Sequence, residues 1–174
     1  MFQKLAQTKR LLIHQCLIWD AQKKNILERK YMNKILIDTN VLIYAHDSTS
    51  PFFDKSFKYI ENTIITNKAC LSIQNYLEAY RIWTQKIKKP ITASEAWLII
   101  DYYRNHPNVT TLYPTLHSFD YCKKLTYTQN ILGVNIFDVQ LIATMLEYEV
   151  HTVATVNTKD FEEFKEIKVV NPLK

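Results

Sequence analysis

The sequence predicts a three-layer α/β fold, a mostly parallel central sheet flanked by helices, and three observations carry that prediction. Strand-sized apolar runs alternate along residues 34–174 with longer segments whose apolar residues recur every three or four positions. The cleanest such segment holds Val139, Ile142, Ala143, Leu146 and Val150, the one-face pattern of a helix. No internal repeat or low-complexity linker divides the 174 residues, a length that suits one domain with a sizeable core.

Taken in order, Lys34 to Ile37 reads as a buried strand with Asp38 at its carboxyl end, and a helix starts within the next two residues. Pro51 opens a helical pattern that runs to about Asn67, with Phe53, Phe57, Ile60 and Ile64 on one face. Ala69 to Leu71 is a second strand, and Ser72 is a natural N-cap for the helix that follows. That helix has an apolar stripe of Ile73, Tyr76, Leu77, Tyr80, Trp83 and Ile87 beside a polar one of Gln74, Glu78, Arg81 and Gln85. Pro90 closes it, and Thr92 opens the next helix, which covers Ala96 to Tyr103 and stops before Pro107. Val109 to Leu112 is a third strand, followed by a helix from Thr115 to about Asn130, a loop from Ile131 to Ile136 and a helix beginning near Phe137. His151 to Thr155 is the fourth strand, Phe161 to Phe164 a short helical turn, and Ile167 to Val170 an edge strand stopped by Pro172.

Composition excludes several classes of function. The single glycine, Gly133, rules out a P-loop and the Gly-rich dinucleotide fingerprint, since both need several glycines where backbone approaches phosphate. Cys16, Cys70 and Cys122 are far apart and odd in number, which argues against a disulfide framework or a cysteine zinc site and predicts a reducing, cytoplasmic setting. The net charge of +5 is localised: residues 1–33 hold seven Lys or Arg and two acids, leaving 15 of each for the remainder. The domain proper is neutral, so its overall charge is no argument for nucleic acid. Residues 1–33 form a basic extension with apolar patches Leu11-Leu12-Ile13 and Cys16-Leu17-Ile18-Trp19. This broken apolar stretch is too short to span a membrane, and no small-residue cleavage site follows it. Two readings stay open: a basic amphipathic helix that docks on the domain or a partner, or sequence upstream of a true start at Met32.

Four carboxylates fall at comparable structural points. Asp38 ends the first strand, Glu78 lies in the helix after the second, Asp138 opens the long late helix and Asp160 follows the fourth strand. Each has a structural alternative. Asp38 or Thr39 caps a helix; Glu78 pairs with Arg81 at i,i+3; Asn135 and Asp138 build a helix first turn; Asp160 and Glu163 have capping-box spacing. Asp101 and Asp120, which lie mid-helix, serve as controls and read as structural. Together, carboxylates converging in a neutral domain repel one another, and divalent cations relieve that repulsion. Two Mg²⁺ ions ~3.5–4 Å apart suit in-line displacement at a phosphodiester, so a nuclease is the chemistry this pattern predicts.

Four motifs carry a family resemblance. They are Ile35-Leu36-Ile37-Asp38-Thr39-Asn40-Val41-Leu42-Ile43-Tyr44, Leu71-Ser72-Ile73-Gln74-Asn75-Tyr76-Leu77-Glu78-Ala79-Tyr80, Phe137-Asp138-Val139-Gln140-Leu141-Ile142-Ala143, and Thr155-Val156-Asn157-Thr158-Lys159-Asp160-Phe161 with the later Val170-Asn171-Pro172. In this order and at these spacings, residues 34–174 resemble the PIN domain, and within it the VapC-type toxins of toxin–antitoxin pairs; nothing in residues 1–31 does.

The resemblance implies a catalytic set of Asp38, Glu78, Asp138 and Asp160, with Asp38 and Asp138 as core metal ligands and Glu78 completing the site or orienting water. Many members carry an acid two residues after the threonine of the last motif, where this chain has Asn157, so the fourth group is Asn157 or Asp160. Thr155 and Ser72 are expected to position water or phosphate through their hydroxyls. The implied activity is Mg²⁺-dependent endoribonuclease cleavage by a metal-activated water, with Mn²⁺ able to substitute and products carrying a 5′-phosphate and a 3′-hydroxyl. Lys86, Lys88, Lys89 and Lys159 are candidate contacts to the RNA backbone. The implied partners are a cognate antitoxin and a second copy of the chain, with no membrane. The alternative is a catalytically inactive PIN-like module that binds RNA or protein.

Overall fold

The structure is a computed structural model in which residues 31–129, 131–133 and 136–174 are described. The expectations for Leu11 to Trp19, for Cys16 and for Asn135 fall outside these residues. The chain divides into two units at Met32, and the second, Asn33–Lys174, carries every element below.

Among the described residues the order is β1 (Ile35–Ile37), α1 (Thr39–Tyr44), α2 (Phe53–Ile65), β2 (Ala69–Ser72), α3 (Ile73–Gln85), α4 (Ala93–Asn105), β3 (Thr110–Leu112), α5 (Leu116–Gln129), α6 (Ile136–Glu147), β4 (Thr152–Ala154), a 3₁₀ turn (Thr158–Asp160) and β5 (Lys168–Val170). The five strands form one sheet in the order β3-β2-β1-β4-β5, and every neighbouring pair is parallel. The chain runs outward from β1 through β2 to β3, then returns to β1's other side for β4 and β5. The order therefore reverses between β1 and β4, and in open parallel sheets the crevice outside the carboxyl ends at such a point is where ligands bind.

Register explains why groups distant in sequence meet there. Leu36 pairs with Val153 and Ile37 with Ala154. The ladder runs one residue further, because the Asp38 N–H donates to the Ala154 carbonyl at 2.9 Å. Thr155 is thus brought directly beside Asp38.

The core on one face of the sheet joins Ile37, Ala69 and Leu71 to Val41, Leu42, Ile60, Ile64, Tyr76, Ala79, Trp83, Ala96, Ile100 and Tyr103 from α1 to α4. The alternate strand residues, Leu36 and Cys70, point to the opposite face and are fully buried, as are Val139, Ile142 and Ala143 of α6. Burial pushes the Cys70 thiol well above its ordinary range, so it acts as a small apolar side chain.

Local chemistry sets the helix ends. Ser72 and Thr92 are N-caps as expected, each in a capping box, with Asn75 and Glu95 as the reciprocal partners. With one glycine in the chain, other residues supply the left-handed positions that end helices. Asn67 (φ 54°) and Glu149 (φ 56°) do so after α2 and α6. In each case the paired N–H bonds run back to the last turn: Asn67 to Ile64 and Lys68 to Thr63, Glu149 to Leu146 and Val150 to Met145. Gly133 itself adopts φ +69° in the loop before α6.

Two expectations are corrected. Leu77 is 55% exposed and lies off the α3 core stripe, where Ala79 is buried with Tyr76 and Trp83, because a 3.6-residue period carries position 77 about 100° away from position 76. The turn expected at Phe161 to Phe164 forms earlier, as the 3₁₀ turn Thr158–Asp160, and further turns through Phe164 bury Phe161 and Phe164 on the inside.

Candidate active site

Asp38 joins its two sequence readings. It is the N-cap of α1, accepting from the Thr39 N–H at 2.7 Å, and it also lies in the crevice with the other acids. Its second oxygen accepts from Asn40 Nδ2 and from Thr155 Oγ1, both at 2.6 Å. Burial pushes its carboxyl up to about 6, the Thr155 and Thr39 hydrogen bonds pull against that, and the charges of Glu78 and Asp138 add to it.

Glu78 sits one turn into α3, on the side facing α1. Oε2 accepts from Thr39 Oγ1 at 2.7 Å and Oε1 from Gln74 Nε2 at 3.0 Å. Asn75, already engaged in the α3 cap, donates to the same Thr39 hydroxyl at 3.1 Å. Glu78 forms no ion pair with Arg81 among the described residues, whereas the control Asp101 pairs with Arg104 at 3.3 Å on the surface.

Asp138 lies in the first turn of α6, where an anion is favoured by the unpaired N–H groups. With Asp160, Glu163, Ile131 and Phe164 it lines a cleft of about 50 Å³. Partial burial pushes Asp138 up to about 6, and the charges of Asp160 and then Glu78 add to that. Asp160 does not cap with Glu163: it is the last residue of the 3₁₀ turn, whose N-cap position is held by Asn157 without a side-chain bond. The structure therefore brings Asp160 beside Asp138, while Asn157 is exposed and its backbone N–H donates to Thr155 Oγ1 at 3.0 Å.

The acids are near enough to raise one another's proton affinity, yet among the described residues no three acidic, histidine or cysteine side chains stand within reach of a single ion. An all-oxygen donor set of this kind suits Mg²⁺, which takes one or two carboxylates and completes its shell with water and substrate phosphate. On that count the donor chemistry fits the ion, with one or two of these carboxylates as ligands and not three at once.

The two hydroxyls expected to touch water or phosphate are placed otherwise. Thr155 is wholly buried; it donates to Asp38 and accepts from Asn40 Nδ2 at 3.0 Å, so it orients the carboxylate. Ser72 is buried as well, and its hydroxyl is engaged with Asn75 in the α3 cap at 2.9 Å. Lys159 lies next to Asp160 and is exposed. Lys86, Lys88 and Lys89 follow the far end of α3, about 12 Å along the axis from Glu78 at 1.5 Å per residue.

Sequence reasoning missed Asn40, Gln74, Asn75 and Glu163 as members of the site. Asn40 is the most integral, since it donates to Asp38 and Thr155 and accepts from the Val156 N–H at 3.1 Å. Its place two residues after Asp38 was the available signal.

Residues 35–168 match the family model described as the PIN domain. No curated protein sequence matches the chain. Among solved structures, VapC20 of Mycobacterium tuberculosis, a toxin that cleaves the sarcin–ricin loop, superposes with a TM-score of 0.58 at 10% identity, covering 75% of this chain and 95% of that one. VapBC2 of Rickettsia felis, solved bound to a DNA fragment from its promoter, gives 0.57 at 17% identity, covering 79% and 97%. FitAcB of Neisseria gonorrhoeae gives 0.53 at 16%, covering 79% and 97%. At these identities the likeness is one of fold. Among the described residues no helix is long and apolar enough to cross a membrane.

Proposed function

The chain belongs to the PIN domain family, and we propose that it is a Mg²⁺-dependent endoribonuclease, the toxin of a toxin–antitoxin pair. The observation that carries this reading is the pair of aspartates, Asp38 at the β1 end and Asp138 at the α6 start, each pushed up to about 6 by burial and by neighbouring acids. Such an arrangement destabilises the fold at neutral pH, and a bound cation offsets the cost.

Asp38 and Asp138 would supply the one or two carboxylates that hold the ion, water completing its shell, with Glu78 near both and Asp160 next to Asp138. When bound, Mg²⁺ or Mn²⁺ neutralises charge developing on the phosphate and raises the acidity of water in the site. The chain's own residues do the rest. Thr155, Asn40 and the Thr39 N–H fix Asp38 so that its remaining lone pair, on Oδ1, points in a set direction. Glu78, held by Thr39 and Gln74, is the base placed to take a proton from the attacking water. Attack on phosphorus then breaks the bond to the 3′ oxygen, which takes a proton from solvent water, leaving a 5′-phosphate and a 3′-hydroxyl; Glu78 returns its proton to solvent. Lys159 is the lysine suited to meet the RNA backbone here.

Antitoxin binding and pairing with a second copy belong to the same proposal. A groove of about 860 Å³ lined by Phe119, Tyr127, Leu132 and Ile136, all exposed, offers apolar surface for a protein partner.

The second reading is an inactive module of the same fold that binds RNA or protein, favoured by Asn157 in place of an acid and by the spacing of the carboxylates. Incubating the purified chain with a mixed tRNA, rRNA and mRNA pool, with Mg²⁺ or EDTA and beside Asp38→Asn, decides between them. Cutting that EDTA and the substitution both abolish supports the nuclease; RNA binding without cutting under any divalent metal supports the module.

A further inference from the structure

We propose that Gln74 is a positioning residue that sets the orientation of Glu78 relative to Asp138, an inference that rests on the metal-dependent reading above. Its side-chain nitrogen donates to Glu78 Oε1 and to the Phe137 carbonyl, both at 3.0 Å. One amide therefore uses both N–H groups to join a candidate catalytic carboxylate to the residue immediately before Asp138. Among the described residues this is the only side-chain hydrogen bond from α3 to α6.

Chemistry fixes which way the amide faces. Both partners are acceptors, so a turned amide would set its carbonyl oxygen against a carboxylate and a peptide oxygen. In the orientation adopted, Oε1 is buried and receives no hydrogen bond among the described residues. A buried amide oxygen left unpaired is uncommon and calls for a reason; the reason here is the two-armed donation from the other end.

Glu78 is thereby held from both sides. Thr39, next to Asp38, grips Oε2, and Gln74, tied to the α6 start, grips Oε1. The side chain is registered to both aspartates, although α3 and α6 are joined in the chain only through α4, β3 and α5. Gln74 touches no reacting atom; it acts through Glu78.

The test uses the full chain with Gln74→Met, which keeps the length and removes both donors, and Gln74→Ala as a second variant free of overpacking. Mn²⁺ binding is read without RNA from the electron paramagnetic resonance of free Mn²⁺, and thermal unfolding without metal reports the fold. The expected result is a Mn²⁺ dissociation constant raised about tenfold or more in both variants, as outer-shell losses give. With RNA, kcat should fall while KM is unchanged. Parent-like Mn²⁺ affinity and kcat in either folded variant overturns the role of Gln74. A parent chain that neither binds Mn²⁺ nor cuts RNA overturns the underlying reading instead.

Discussion

Asp138→Asn should abolish cleavage and at the same time make the protein more stable. The carboxyl is raised from 3.8 to about 6, and a difference of that size corresponds to about 3 kcal/mol for a fully buried group. Asp138 is partly exposed, so solvent screening reduces this to roughly 1.5 kcal/mol. The sign follows from linkage. A carboxyl whose folded value is raised binds its proton more tightly in the fold, so below 3.8 both states are protonated and the charge costs nothing. Between 3.8 and about 6 the penalty builds, and above that it is complete. Removing the charge should raise the unfolding midpoint by about 5 °C at pH 7.5 and by little at pH 4, for a domain of this length. Calorimetry at the two pH values, without divalent metal, measures it. A midpoint at or below the parent's at pH 7.5, or an equal gain at both pH values, would refute the reasoning.

Other outcomes follow from the same geometry. Thr155→Val removes the donor that orients Asp38 and should lower kcat about 10–100-fold, while Thr155→Ser retains most activity. His46, packed against Trp83 and bonded to the Tyr103 hydroxyl at 2.8 Å, is held neutral by burial down to about 4. Its depressed value adds up to about 3 kcal/mol that is present above 6.5 and lost as pH falls toward 4, a slope that urea midpoints should find missing in His46→Gln. Glu149→Gly relieves a left-handed residue at the end of α6 and should stabilise by roughly 0.5–1 kcal/mol. Gly133→Ala should destabilise by about 1 kcal/mol through backbone conformation alone, since nothing lies within 4 Å of the added carbon. Urea midpoints read both.

What the sequence revealed and what it withheld divide along the range of the interactions. Ser72 and Thr92 were legible as helix starts because a cap and its partner lie three residues apart. The sheet was legible because its strands are apolar runs, and with it the position of Asp38 and Asp138 at the same edge. Phase within a helix was less so: Leu77 reads as core until Ala79 is seen to occupy the buried place. The bonds that tune the site were hidden, because Gln74 finds Phe137 at a separation of 63 and Thr155 finds Asp38 at 117. Ser72 and Thr155 were expected to face solvent chemistry, and burial turned both inward. Asp160 read more readily as a cap with Glu163 than as a ligand, and the 3₁₀ turn instead set it beside Asp138.

Asp38 is synthesised early, but the hydroxyl that orients it arrives 117 residues later, on a segment whose Thr155 N–H is itself bonded to the Val170 carbonyl at 2.9 Å. The Asp38 end of the crevice is therefore finished only when β4 and β5 have joined the sheet, and a fragment that stops before Thr155 holds Asp38 without the strand and the hydroxyl that fix it.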